Sequence, residues 1–167
     1  MHLNEPASDF ELLDIHGVSH TLRGYRGKIV IINFWSAECP HSERADHQLL
    51  GWLETWNGEV VLLSVASNRN ESIQMLTEAA ESRNLPYVLL DSNQSVADLY
   101  EAVTTPHVFV IDREGILRYR GAVDDVTFRQ REATRFFLWE SVTALLHRRL
   151  PALDETPAYG CTIVREI

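Results

Sequence analysis

The strongest hydrophobic signal in the chain is Ile29-Val30-Ile31-Ile32-Asn33-Phe34-Trp35, a nearly unbroken β-branched and aromatic run. Apolar side chains pointing both ways fit a central strand covered on both faces. Past Pro40 the spacing changes: Ala45, Leu49, Trp52, Leu53 and Trp56 recur every three or four residues, as on one helix face, and Asn57-Gly58 supplies a stop. A strand therefore feeds a helix through a short loop. Residues 60–66 read as a second buried strand, and 71–83, with Ile73, Leu76 and Ala80 on one face, as a second helix. Residues 87–90 predict a short strand, 94–100 a short helix, and Thr104-Thr105-Pro106 leads into a strand over 107–111. The turn Asp112-Arg113-Glu114-Gly115 returns the chain to a partner at 116–120, an antiparallel hairpin. Ahead of all this, 10–13 and 18–22 flank Asp14-Ile15-His16-Gly17 as a smaller hairpin. A last helix is predicted over 128–149, with Ala133, Phe137, Val142, Leu145 and Leu146 toward the core, ended by Pro151. The order predicts an α/β fold, a mixed sheet with helices on both faces. It divides into one domain over residues 1–150 and a tail over 151–167 that carries Cys161, punctuated by Pro151 and Pro157.

Composition narrows the function. With 45% hydrophobic residues in 167, the chain can bury a core without disulfide or metal staples. No apolar run approaches the roughly 20 residues that cross a bilayer, and the first residues form neither a basic nor an apolar leader. The expectation is a cytoplasmic protein, with the proviso that a leader removed earlier would leave no trace. The net charge of −9 argues against nucleic acid and anionic membrane surfaces as partners. Two cysteines are too few for a disulfide scaffold, so their role is expected to be chemical.

Cys39 ends the buried strand and opens the helix. Unpaired backbone N–H groups and the helix dipole favour an anion there, which lowers a thiol pKa and yields the nucleophilic thiolate. Pro40 suits the first helical position because it has no N–H to leave unsatisfied. His41 is a candidate donor or positive charge beside the sulfur, and Glu38 opposes the thiolate if it points inward. The plainer alternative is an inert buried cysteine.

The run Asn33-Phe34-Trp35-Ser36-Ala37-Glu38-Cys39-Pro40-His41-Ser42 resembles the active-site segment of thioredoxin-like proteins, in particular the redoxin group that takes in the alkyl hydroperoxide reductase and thiol-specific antioxidant (AhpC/TSA) family. Residues 6–28 resemble that group's N-terminal extension, and Thr105-Pro106 its cis-proline loop. The resemblance spans residues 6–149. It implies a thioredoxin-like mixed sheet with an N-terminal hairpin extension, a cis bond at Thr105-Pro106 beside the sulfur, and thiol redox activity at Cys39, supported by Trp35, Ser36, Pro40, His41, Ser42, Thr105 and Pro106. Some members also end in a Gly-Cys segment, like Gly160-Cys161 here, which raises Cys161 as a resolving thiol. A passive or intermolecular tail thiol is the equal alternative.

This chain departs from the family pattern at several places. Ser42 replaces the second cysteine of Cys-x-x-Cys, so no disulfide closes within the loop. Asn33 stands where thioredoxins bury an acid. The peroxidase pattern Pro-x-x-x-Thr/Ser-x-x-Cys is met at Ser36 and Cys39 but not at Ile32. The leading expectation is thus a thiol–disulfide oxidoreductase acting on a protein or small-molecule disulfide and recharged by an external thiol reductant. A thiol peroxidase acting on hydroperoxides and a non-catalytic peptide-binding module are the competing readings. No cofactor is expected, and His16, His20, His47, His107 and His147 are too scattered to suggest a metal site.

Overall fold

The structure, a computed structural model, describes residues 1–165. Two short strands, β1 (Glu11–Leu13) and β2 (Ser19–Thr21), form the N-terminal hairpin. Asp14 closes its turn by accepting the N–H groups of His16 and Val18. Then follow β3 (Ile29–Trp35), α1 (Pro40–Thr55), β4 (Val60–Ala66), α2 (Ile73–Ser82), β5 (Val88–Leu90) and α3 (Ser95–Tyr100). The chain continues with β6 (Thr104–Thr105), β7 (His107–Ile111), β8 (Leu117–Gly121), α4 (Phe137–Leu146) and β9 (Cys161–Thr162).

The central sheet runs β5-β4-β3-β7-β8, with β3, β4 and β5 parallel and β7 and β8 antiparallel. This is the mixed α/β sheet of a thioredoxin-like fold. All seven residues of β3 are buried, as expected of its unbroken apolar run. Their alternation builds two cores. Ile29 and Ile31 face Ala45 and Leu49 of α1 and Leu138, Val142 and Leu145 of α4, while Trp35 packs with Leu76 and Ala80 of α2. Val30, Ile32 and Phe34 face Val96, Ala97 and Tyr100 of α3, together with Ala7, Phe10 and Leu22 from the N-terminal segment. Asn33 is fully buried and neither its amide oxygen nor its nitrogen has a hydrogen-bond partner. Trp52 and Trp56 pack against Trp139 at centroid distances of 5.6 Å, and Phe136 lies edge-on to Trp52.

The last helix departs from expectation. It covers Phe137–Leu146 rather than 128–149, and Phe128 is 72% exposed. The Asp125 carboxylate accepts both the backbone N–H and the hydroxyl of Thr134, and Thr127 and Gln130 bridge backbone to backbone. These local bonds hold residues 125–134 as a looped segment and compete with a helix. Leu138 is buried in this core, whereas Ala133 is only partly buried and lies outside it.

The tail folds back along the sheet. Thr156 Oγ1 accepts the Ala122 N–H at 3.0 Å and lies 2.6 Å from the Tyr119 hydroxyl. Its backbone N–H donates to Arg120 O. Further on, β9 pairs antiparallel with β6, Thr105 opposite Cys161, and Ile163 joins the core beside Val96 and Ala102. The Pro- and Gly-marked stretch carries no strand signal in its sequence, yet two of its residues pair regularly. Its order comes from backbone groups that β6 leaves free. Among the described residues no helix is long and apolar enough to cross a membrane.

Candidate functional site

Cys39 is the N-cap of α1, with extended backbone (φ −79°, ψ 121°) and Pro40 as the first helical residue. Its carbonyl accepts the first intrahelical bond, from Glu43 N–H at 3.1 Å. Pro40 offers no N–H, so the helix N-terminus presents its free donors at His41 and Ser42. The sulfur is bonded to Cys161 across a Cα–Cα separation of 6.3 Å, within the range a disulfide spans. It sits 3.2 Å from the carbonyl oxygen of Thr105, whose bond to Pro106 is cis. In the reduced protein that carbonyl is an acceptor for the Cys39 thiol and so opposes the helix terminus, which favours the thiolate. Cys39 is 4% exposed and Cys161 is partly exposed.

The loop between β3 and α1 is held from several directions. Ser36 Oγ accepts the N–H groups of Glu38 (3.2 Å) and Cys39 (3.1 Å), and gives its own proton to Glu71 Oε2 at 2.5 Å. Glu71 Oε1 accepts the Ala37 N–H at 2.7 Å. From α2's C-terminal end, Arg83 donates to the carbonyls of Ser36 and Ala37 and to Asp46 Oδ2. The same Asp46 oxygen accepts the Trp35 indole N–H at 2.7 Å. Burial pushes the Asp46 carboxyl up to about 6, against the pull of Trp35 and Arg83. Ser42, at the position of the missing second cysteine, is fully buried and accepts the Ser36 N–H at 3.3 Å. Glu38 is exposed.

His41 lies not against a bare sulfur but edge-on to Tyr159 of the tail, ring centroids 5.0 Å apart. On the far side of the cis-proline loop His107 is buried, which pushes its pKa down to about 4, and its Nδ1 accepts the Val103 N–H. All nine residues expected at the site, Trp35, Ser36, Cys39, Pro40, His41, Ser42, Thr105, Pro106 and Cys161, thus belong to one neighbourhood. The sequence did not point to Glu71, Arg83, Asp46, Asn68 or Tyr159. Glu71 looks like an ordinary first helical residue, although α2 starts two residues later, at Ile73. Gly160, legible as part of the Gly-Cys segment, proves to be a close approach: a Cβ there would lie 2.2 Å from Thr105 O.

Comparison with known proteins fits this geometry. The chain is similar to thiol-disulfide oxidoreductase ResA of Geobacillus kaustophilus (strain HTA426), 31% identical over 110 residues, 65% of this chain and 63% of that protein. It is also similar to thiol:disulfide interchange protein DsbE of Escherichia coli (strain K12), 34% identical over 101 residues, 59% of this chain and 52% of that protein. The chain therefore spans less than two thirds of the length of these curated relatives. Among solved structures, a hypothetical protein from Sinorhizobium meliloti 1021 superposes with a TM-score of 0.88 at 27% identity, covering 98% of this chain and 94% of that one. An uncharacterized conserved protein from Geobacillus kaustophilus superposes with a TM-score of 0.90 at 24% identity, covering 99% and 93%, a likeness of fold. The AhpC/TSA family model matches residues 3–120, and with the buried Cys39 loop and the cis Thr105-Pro106 bond in place, the chain belongs to the AhpC/TSA family.

Proposed function

We propose that this chain is a thiol–disulfide oxidoreductase in which Cys39 is the nucleophile and Cys161 the resolving thiol. The observation that carries the reading is the joining of Cys161, from the tail, to Cys39 beside the cis Thr105-Pro106 bond. The names of the ResA and DsbE relatives point the same way. The Cys39 thiolate attacks a substrate disulfide, one substrate sulfur leaves as a thiolate and takes a proton, and a mixed disulfide remains. Cys161, as thiolate, then attacks Cys39 Sγ and releases the second substrate thiol, leaving the Cys39–Cys161 disulfide. An external thiol reductant supplies the two electrons that reopen it. That reductant meets Cys161 first, since Cys39 is the more buried sulfur, and Cys39 leaves as the thiolate favoured by the helix terminus. Trp35, Ser36, Pro40 and Ser42 shape the loop, His41 packs the tail, and Thr105-Pro106 lines the sulfur. The substrate is a protein or small-molecule disulfide. In a cytoplasmic setting the disulfide is then a turnover state, not a structural staple. The domain over residues 1–150 carries the nucleophile and the tail from 151 the resolving thiol.

Peroxide reduction is the weaker reading. The peroxidase pattern places a hydroxyl at Ser36, and here the one proton of that hydroxyl is committed to Glu71. Ile32 also stands where the peroxidase pattern has proline. The deciding experiment compares turnover of glutathione disulfide or an insulin disulfide with that of hydrogen peroxide, under one thiol reductant. Disulfide turnover, lost in Cys39→Ser and slowed in Cys161→Ser, is expected. Peroxide consumption without disulfide turnover reverses the assignment.

A further inference from the structure

Glu71 sits between β4 and α2, and its carboxylate is a junction between the two halves of the redox pair. On the loop side it accepts the Ser36 hydroxyl and the Ala37 N–H, while Ser36 Oγ holds the N–H of Cys39 itself. On the tail side Glu71 Oε2 accepts from Asn68 Nδ2 at 2.7 Å. Asn68 Oδ1 then accepts the Val164 N–H at 2.7 Å, and the Arg69 N–H donates to Val164 O at 2.9 Å. Val164 stands three residues beyond Cys161. A path of four direct hydrogen bonds, two of them to the Glu71 carboxylate, therefore runs from the backbone of Cys39 to the backbone of the tail. Other hydrogen bonds of the tail, among the described residues, join β9 to β6, Ile163 to Val103, Arg165 to Asp98 and Ala102, Asp154 and Glu155 to Arg120, and Thr156 to Arg120, Tyr119 and Ala122.

We propose that Glu71 is a positioning residue for the Cys39–Cys161 pair, acting through Asn68 to register the tail against the Cys39 loop. The inference rests on the exchange reading above. Closing an intramolecular disulfide is favoured when the second thiol is already held in line, because the entropy of finding it is lost beforehand. Backbone pairing with β6 brings the tail to the right edge, but pairing of two residues leaves slip along the strand cheap. The clip at Val164 fixes the register three residues from the sulfur. Glu71 aligns that clip with the loop that presents Cys39. Its charge matters because Ser36, Ala37 and Asn68 all present donors, which a neutral side chain of the same size cannot accept at once.

The measured quantity is the equilibrium in which the protein dithiol and glutathione disulfide give the protein disulfide and two glutathione thiols. Two electrons and two protons pass to glutathione. Wild type, Asn68→Ala, Glu71→Ala and the double variant are equilibrated across glutathione ratios, trapped by alkylation and weighed. Each single variant is expected to lower the closing constant roughly tenfold, the effect of losing one charge-assisted hydrogen bond. Because the two residues act in series, the double variant is expected to fall no further than Glu71→Ala alone. With Cys161→Ser in the background, Asn68→Ala is expected to leave the alkylation rate of Cys39 within twofold, a result that general loosening of the fold would not give. An unchanged closing constant in Asn68→Ala overturns the proposal, as do effects that multiply in the double variant. Asn68→Ala alone decides if Glu71→Ala does not fold. A wild type that never closes the bridge defeats the exchange reading itself, and is thus distinguishable.

Discussion

Cys39 is delivered by a seven-residue strand and a sixteen-residue helix, whereas Cys161 arrives on a tail whose only regular structure, among the described residues, is a two-residue strand. The first sulfur is placed by its own neighbours in sequence: a buried strand ends, a proline starts a helix, and Ser36 caps the turn between them. The second is placed by groups far away along the chain, namely Thr105, Asn68, Val103, Arg120 and Tyr119. A site built from local sequence is robust and hard to move. One built from borrowed backbone partners depends on each of those distant groups and can be altered at any of them without touching the Cys39 loop.

The sharpest break in that comparison is at Gly160. A Cβ there would press on the carbonyl oxygen and carbon of Thr105 and on the Pro106 ring, and buried backbone cannot yield as a flexible side chain can. Gly160→Ala is therefore expected to lift the tail off β6 and lower closure of the Cys39–Cys161 bridge on the order of a hundredfold, an overpacking cost near the top of the usual range. The Cys39 loop should keep its structure, and with the tail lifted the thiol should alkylate faster than in reduced wild type. Free-thiol titration at a fixed glutathione ratio reads the first effect and iodoacetamide kinetics the second. Unimpaired closure would mean that the tail reaches Cys39 without the β6 pairing.

The contrast also explains which parts of the molecule were legible beforehand. A seven-residue run with six apolar side chains reads as a buried strand, and Pro40 after it suits the start of a helix, so the loop and Cys39 were readable from periodicity. The cis bond and the role of Thr105-Pro106 were legible through resemblance alone, because nothing local to that dipeptide demands it. The tail's strand was not readable, since its pairing energy lies in backbone groups that carry no side-chain signature. Residues 128–136 misled for a related reason: apolar spacing continues through Phe128 and Ala133, yet the Asp125–Thr134 bonds outweigh a weak helix there. Glu71 and Arg83 were invisible because their partners are the hydroxyl of Ser36 and main-chain groups of 36 and 37, reached across more than thirty residues.

The loop side carries its own tension, and pH exposes it. Asp46 is 1% exposed, one of its oxygens lacks a partner, and burial raises its carboxyl to about 6 from an ordinary value of 3.8. The folded state therefore holds this proton more tightly than the unfolded chain does. Its stabilising effect is complete below pH 3.8 and is lost as pH rises through about 6. Measured against Asp46→Asn, which cannot titrate, wild type is expected to gain about 2 kcal/mol of relative stability between pH 7 and pH 4. Urea midpoints of the two proteins at four pH values give the difference, and the comparison cancels the other carboxylates. Parallel profiles would show that Arg83 and Trp35 fully offset the burial of the Asp46 charge.

The smallest effect is expected where the two regions meet in an aromatic contact. His41 stands in the first turn of α1, two residues past Cys39, and Tyr159 stands two residues before Cys161. Their rings meet edge to face at 5.0 Å, so this pair links the two sulfurs' segments side chain to side chain. Both residues are only partly buried, so the contact contributes at the low end for aromatic pairs, about 0.5–1 kcal/mol. If His41 acts on the sulfur through its charge, as its sequence position suggests, His41→Ala alone slows Cys39 alkylation near neutral pH and Tyr159→Ala does not alter that change. If it acts by packing the tail, His41→Ala and Tyr159→Ala each weaken bridge closure two- to fivefold, and the double variant falls no further than either single one. The geometry favours packing, because the imidazole faces a ring that belongs to the tail. A double-mutant cycle on the glutathione equilibrium, run beside alkylation rates in the Cys161→Ser background, separates the two, and a coupling near zero in the cycle would return His41 to the thiolate.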